Sequence, residues 1–250
     1  MLIIFAAALL PAIVLMWYVY NKDTQPEPTR LILKGFFYGG IATFVSTLIS
    51  GPLMTMGFFT NEPSTLAECM TTSFFGAAIP EECAKLFMLW LLLRNNPEFD
   101  ERFDGIVYAA SIGLGFASFE NVMYVLSAGM DWFSVSVTRA MLAVPGHFAF
   151  AVMMGYYYSV DHFYGEYAPK GTKAKIILVP VLLHGIYDTI AFASGLGTAI
   201  SGILTLALLY FCFRLFKYTR AKILAEASDN DIRSRIMRDS APTDNLPDEQ

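Results

Sequence analysis

Residues 74–94 read FFGAAIPEECAKLFMLWLLLR, an apolar run of helix length that encloses Glu81, Glu82 and Lys85 directly after Pro80. Glu81 and Lys85 are spaced i,i+4, and Glu82 and Lys85 i,i+3. Lys85 can therefore neutralise one carboxylate and leave the other available. A soluble core helix would carry a polar stripe along its length. Here the charges form an isolated island in an otherwise lipid-soluble segment.

The rest of the chain explains that setting. Of 250 residues, 55% are hydrophobic and only 16% charged, a composition suited to a bilayer rather than to water. Runs able to cross roughly 30 Å of hydrocarbon, about 20 residues each, lie near 1–20, 31–51, 64–93, 104–128, 133–160, 174–194 and 197–217. The period-two alternation of a barrel is missing, and in lipid each backbone amide must be satisfied inside its own helix. The expected fold is all-α, a polytopic membrane bundle of about seven transmembrane helices.

Lysine and arginine set the orientation. Lys22 and Arg30, Arg94 and Arg102, and Lys170, Lys173 and Lys175 occupy alternate connections, whereas the loops at 52–63, 129–132 and 195–197 have neither. That alternation places the N-terminus outside and the C-terminus in the cytoplasm. Residues 1–20 have no basic leader, which suits an N-out anchor better than a cleaved signal peptide. The net charge of −5 is concentrated toward the end, so the chain divides into a membrane domain over 1–218 and a charged cytoplasmic tail over 219–250, helical at first and then partly disordered. No nucleic-acid signature appears. Cys69, Cys83 and Cys212 form neither a disulfide framework nor a metal spacing.

Ionisable residues inside spans are costly and point to function. They are Glu81, Glu82, Lys85, Glu120, Arg139, His147, His184 and Asp188. Counted from the cytoplasmic boundary at about 1.5 Å per residue, Glu81, Glu120, His147 and Asp188 lie roughly 20–24 Å deep, and Lys85 and His184 about 14 Å. Four helices thus deliver polar groups to one slab. His184 and Asp188 are i,i+4, close enough for the carboxyl to orient the imidazole. His147 falls on a small-residue stripe with Ala143, Ala151 and Gly155, and Glu120 and Tyr124 continue the stripe Ala109, Gly113 and Ala117; such stripes mark helix–helix contact. Asn121 joins Glu120 and Tyr124 as a supporting polar group. Arg139 is expected to snorkel or to pair with an acid. Pro80, Pro145 and Pro180 precede the polar residues of their helices and are expected to kink them, opening a wet cavity.

Four segments carry a family resemblance: FFGAAIPEECAKLF (74–87), EFDERFDGIVYAASIGLGFASFENVMYV (98–125), PGHFAFAVMMGYYYS (145–159) and VPVLLHGIYD (179–188). With them the chain resembles the PrsW family of intramembrane proteases, itself similar to the CAAX- and bacteriocin-processing proteases, over roughly Pro28 to Lys217. The resemblance implies a protease domain in the membrane that cuts a membrane protein, for this family an anti-sigma factor. It also implies catalytic roles for Glu81, which activates water with His147, and for His184, which holds the oxyanion, with no cofactor. Glu82 supports the site. Where CAAX enzymes have asparagine this chain has Asp188, which cannot donate when ionised, so its expected role is to orient His184.

Other readings use the same residues. Glu81, His147 and His184 suit zinc or another divalent metal, although no HExxH motif is present. Buried acids also serve proton-coupled transporters, but the halves of the chain show no repeat. Cys83 beside the acidic pair raises a thiol nucleophile, and a retinal-type receptor is disfavoured because the last span has no buried lysine. The topology is open to direct test: a reporter fused after Asn61 should be extracytoplasmic and one after Asn230 cytoplasmic. Protease accessibility in spheroplasts checks both.

Overall fold

A computed structural model describes residues 2–239, with side chains characterised over 5–232. These residues form helices α1 (Leu2–Tyr20), α2 (Thr29–Thr55), α3 (Leu66–Thr71), α4 (Ile79–Leu93), α5 (Arg102–Ser127), α6 (Trp132–Met141), α7 (Ala143–Tyr164), α8 (Thr172–Ser194) and α9 (Ser201–Asp239). The protein is an all-α, multi-pass membrane protein. Five stretches are long and apolar enough to cross a bilayer, Thr29–Thr55, Arg102–Ser127, Gly129–Tyr167, Thr172–Ser194 and Ser201–Ile232. Of the two further spans expected, α1 contributes a shorter apolar helix, Phe5–Tyr20. The other, 66–93, is a continuous rod whose apolar run is broken by Glu68, Glu81, Glu82 and Lys85.

Helix α5 is the axis of the bundle. Every side chain from Phe103 to Ser118 is buried, and α7, α2 and α1 pack around it. Small residues let the backbones touch. A Cβ on Gly39 of α2 would lie 2.0 Å from the Ile112 carbonyl oxygen, and one on Gly115 would lie 2.0 Å from that of Phe36. On the opposite side, a Cβ on Gly155 of α7 would meet the Gly105 carbonyl oxygen at 2.1 Å, and one on Gly113 the Ala151 Cβ at 2.4 Å. The two small-residue stripes therefore face each other. Outward faces are apolar: Leu33, Phe37, Ile41, Phe44 and Leu48 of α2 are exposed at helical spacing, a surface made for lipid.

The prolines act in three different ways. Before Pro80 the chain winds as a π-helix over Thr72–Ala78, with the Ile79 N–H bonded to the Phe74 carbonyl. The wider turn absorbs the donor that proline removes. Near Pro145 the expected single span 133–160 is interrupted: α6 ends at Met141, Leu142 leaves helical geometry (φ −121°, ψ −57°), and α7 begins at Ala143. Pro180 sits within an unbroken α8.

Helix α9 continues past the expected boundary at 218 without interruption to Asp239. Ile223 is buried, Arg102 of α5 pairs with Glu226 and with Asp229 at 3.2 Å, and Asn230 bonds Glu101. The first part of the tail is thus docked against the membrane domain. The disorder expected toward its end falls on 240–250, outside the described residues.

If backbone contact around α5 holds the bundle, Gly39→Val and Gly155→Val should each lower stability by about 2 kcal/mol or more through overpacking. Gly51→Ala and Gly202→Ala, where an added Cβ meets nothing, should stay within about 0.5 kcal/mol of the parent. Thermal unfolding in detergent reads the difference.

Candidate active site

The polar residues of α4, α5, α6, α7 and α8 converge. Lys85 is 1% exposed and ties α4 to α7. Its Nζ donates to Glu82 Oε1 at 2.8 Å and to His147 Nδ1 at 3.1 Å, and lies 3.5 Å from Glu81 Oε2. The Phe116 ring of α5 lies beneath the ammonium, 4.0 Å from ring centre to Nζ. Because Nδ1 of His147 accepts from Lys85, its Nε2 carries the proton and donates to Glu120 Oε2 at 3.0 Å. Glu120 is held further by Arg139 of α6, whose terminal nitrogen lies 2.6 Å away. Arg139 also donates through Nε to Asn121 Oδ1 at 2.8 Å, and Asn121 donates to the Ala8 carbonyl of α1 at 2.8 Å.

His184 of α8 completes the cluster. Its Nδ1 donates to Glu82 Oε1 at 2.8 Å, while Nε2 faces Asp188 Oδ2 at 3.2 Å and Glu81 Oε2 at 3.9 Å. An imidazole nitrogen between carboxylate oxygens needs a proton on it or a cation among them. The His147 and His184 rings lie 5.1 Å apart, and Phe150 stacks on His184 at 4.9 Å. Gly185 leaves room for Phe74, whose ring a Cβ there would meet at 2.4 Å.

The two glutamates are not equivalent. Glu82 has no exposed surface, and its Oε1 accepts from both Lys85 and His184. Glu81 keeps 12% of its side chain accessible. Its Oε2 is buried without any hydrogen-bond donor. Glu82 Oε2 is unpartnered as well, so what sets Glu81 apart is a surface that water can reach and the absence of the two bonds that hold Glu82 Oε1.

At the depth of the expected wet cavity the polar side chains pack against one another, and Lys85, Glu82, His147 and His184 are all buried, with one oxygen each of Glu81 and Glu82 unpartnered. A cavity of about 340 Å³ does open at the α6–α7 break, lined by Met141, Leu142, Pro145, Gly146, Leu209 and Phe213. It is apolar and adjoins His147 through Gly146. Tyr124 lies at the margin, half exposed, with the Arg139 guanidinium 4.0 Å from its ring centre. Cys83 is exposed.

Sequence reasoning missed Phe116, Phe150 and Ala8. An aromatic or a backbone carbonyl in an apolar helix gives no signal until its helix is placed. It left the partner of Arg139 open; the 18 residues between Asn121 and Arg139 cross a helix turn that spacing rules do not cover.

Carboxylates, imidazoles and a buried ammonium gathered within a helical membrane bundle define a membrane-embedded enzyme. The chain belongs to the PrsW family of intramembrane metalloproteases, whose model matches residues 27–216. It is 32% identical over 219 residues to Protease PrsW of Geobacillus kaustophilus, covering 86% of this chain and 91% of that protein. It is 34% identical to Protease PrsW of Oceanobacillus iheyensis (76% of this chain, 83% of that one) and 34% to that of Bacillus subtilis (77% and 84%). No solved structure matches significantly. The protein is accordingly a peptidase of the membrane, and its substrates are membrane proteins.

The family description names a metal. Glu81, His147 and His184 each offer one donor atom, all within 4.8 Å of one another, and two histidines with one carboxylate suit catalytic zinc. The buried, donorless Oε2 of Glu81 fits a cation as well. Among the described residues, four carboxylates, Glu81, Glu82, Glu120 and Asp188, face only Lys85 and Arg139 as fixed cations. His147 is the restraint, since both its nitrogens are engaged, by Lys85 and Glu120.

Cys83 is exposed on α4 rather than buried in the polar cluster, which argues against it as a thiol nucleophile. Cys83→Ala should keep cleavage of a membrane substrate within a few fold of the parent, measured as product fragments by mass spectrometry. Loss of cleavage in a folded Cys83→Ala protein would restore the thiol reading.

Proposed function

We propose that the protein hydrolyses a peptide bond of a single-span membrane protein by water activated at Glu81. The observation that carries this reading is the contrast within the pair: Glu82 is fully buried with Oε1 held by Lys85 and His184, whereas Glu81 retains accessible surface and accepts no hydrogen bond at its Oε2. Glu81 takes the proton of the attacking water and returns it to the leaving amine. Lys85 holds Glu82 and His147 in place. His184, fixed from Nδ1 by Glu82 and flanked by Asp188, presents Nε2 toward Glu81 and donates to the oxygen that gains charge in the transition state. Glu120, with Arg139 and Asn121 behind it, orients His147. The apolar cavity at the α6–α7 break is the lateral approach for a substrate helix. An anti-sigma factor as that substrate belongs to the same proposal and rests on the family resemblance.

A metal-dependent version is favoured by one specific observation, the convergence of Glu81, His147 and His184 donors within 4.8 Å. These three residues would hold the ion, with Glu82 as the carboxylate behind His184. Bound there, a divalent metal would polarise the scissile carbonyl and lower the cost of deprotonating water.

The test uses the purified full chain in detergent with candidate single-span proteins. Glu81→Gln keeps shape while removing basicity, and should lower the cleavage rate by about 10²–10⁴ with folding intact. Glu82→Gln should be milder, and His147→Ala and His184→Ala severe. Cleavage by Glu81→Gln at the parent rate refutes the assignment. Chelator treatment separates the two versions: insensitivity supports the carboxylate acting alone, and inhibition reversed by zinc supports the metal.

A further inference from the structure

A second acidic cluster lies where the α1–α2 connection meets the head of α5, on elements remote in sequence from Glu81. Asp23, Glu27 and Asp104 are all buried, and one carboxylate oxygen from each lies within 4.8 Å of those of the other two. Part of their bonding capacity is occupied locally. Asp104 Oδ2 accepts from the backbone N–H groups of Asp100 and Glu101 at 3.0 and 2.6 Å, Asp23 Oδ1 accepts from Gln25 N–H at 3.0 Å, and Glu27 Oε2 accepts from Tyr108.

The remaining oxygens are unmatched. Asp104 Oδ1 and Asp23 Oδ2 are buried with no hydrogen-bond donor, and Asp104 is 1% exposed. No lysine, arginine or histidine forms an ion pair with any of the three among the described residues. The nearby Arg30 turns to Glu98, and Arg102 to Glu226 and Asp229. Desolvation pushes the carboxyls of the connection up, Asp23 to about 6 and Glu27 to about 7. Three carboxyl groups buried this close must either share protons or enclose a cation, and the two unpartnered oxygens point to the cation.

We propose that Asp23, Glu27 and Asp104 bind a hard divalent cation, Mg²⁺ or Ca²⁺, that clamps the α1–α2 connection to the head of α5. An all-oxygen, all-carboxylate donor set with no histidine or thiolate matches these ions rather than zinc. The ion takes the unpartnered oxygens of Asp23 and Asp104 and leaves the Asp104 cap on the Asp100 and Glu101 amides in place. It is distinct in chemistry and position from any metal at Glu81, His147 and His184.

The experiment follows the unfolding midpoint of the full chain in detergent after chelator treatment, titrated separately with MgCl₂ and CaCl₂. The parent and Glu81→Gln, which disables the other candidate metal set, should both show a saturable rise of several degrees. Whichever ion saturates at lower concentration is the one selected. Asp23→Asn and Asp104→Asn should abolish the rise. Asp23→Asn alone decides the matter should loss of the Asp104 cap prevent folding. The proposal is overturned by a parent with no rise, by a rise that survives in Asp23→Asn, or by one that disappears in Glu81→Gln. It is equally overturned if Asp23→Asn raises the midpoint of the chelated protein while the parent ignores both ions, which would assign the cluster to shared protons.

Discussion

Backbone contact around α5 is the constraint on which the remaining structure depends. Lipid supplies no hydrophobic force to press helices together, so close approach between small residues has to do it. Gly39 and Gly115 lock α5 against α2, and Gly105, Gly113, Ala151 and Gly155 lock it against α7. Both contacts fix register as well as distance. His147 lies one turn before Ala151 on the same face of α7, so the register that seats Gly155 on Gly105 also brings the His147 ring to Glu120. A slip by one turn, about 5.4 Å, would separate that pair while leaving much apolar contact intact.

Electrostatics then decide which acid is left to act. Lys85 and Arg139 are fixed cations of the cluster, and each is committed: Lys85 to Glu82 and His147, Arg139 to Glu120 and Asn121. In a medium of low dielectric such pairs are retained only when well bonded, since removing one partner strands the other. The commitments leave Glu81 only the longer 3.5 Å approach of Lys85, and both Glu81 and Asp188 face His184. The site is therefore short of positive charge where the reaction is proposed to occur, a condition that suits proton transfer or a bound divalent ion equally.

Much of this was readable in the sequence where the signal is local. The spacing of Glu81, Glu82 and Lys85, the i,i+4 relation of His184 to Asp188, and the existence of a small-residue stripe on each of α5 and α7 follow from 3.6 residues per turn alone. What connects different helices did not follow. The bond from Glu82 to His184 joins residues 102 positions apart, and nothing in the local pattern near either one indicates that Glu82, rather than Glu81, is the better satisfied. The π-helical turn before Pro80 and the break at Leu142 also escaped, because a proline announces a lost hydrogen bond without saying how the backbone accommodates it. Asp23, Glu27 and Asp104 drew no notice for a different reason: acids in loops and first turns are ordinary, and only tertiary packing buries them.

Helix α5 links the two acidic regions mechanically. Asp104 lies in its first turn and Glu120 sixteen residues later, near its other end, a separation of roughly 24 Å along the axis. Between them the helix is buried on every side and free of proline, so it behaves as a stiff rod. Its head is tied from one direction to the α1–α2 connection, through Tyr108 donating to Glu27, and from another to α9, through Glu226 and Asp229 on Arg102. An axial displacement of the head must therefore appear at Glu120, where His147 is held by a single 3.0 Å bond. A cation bound at the proposed cluster would act on the site through this rod.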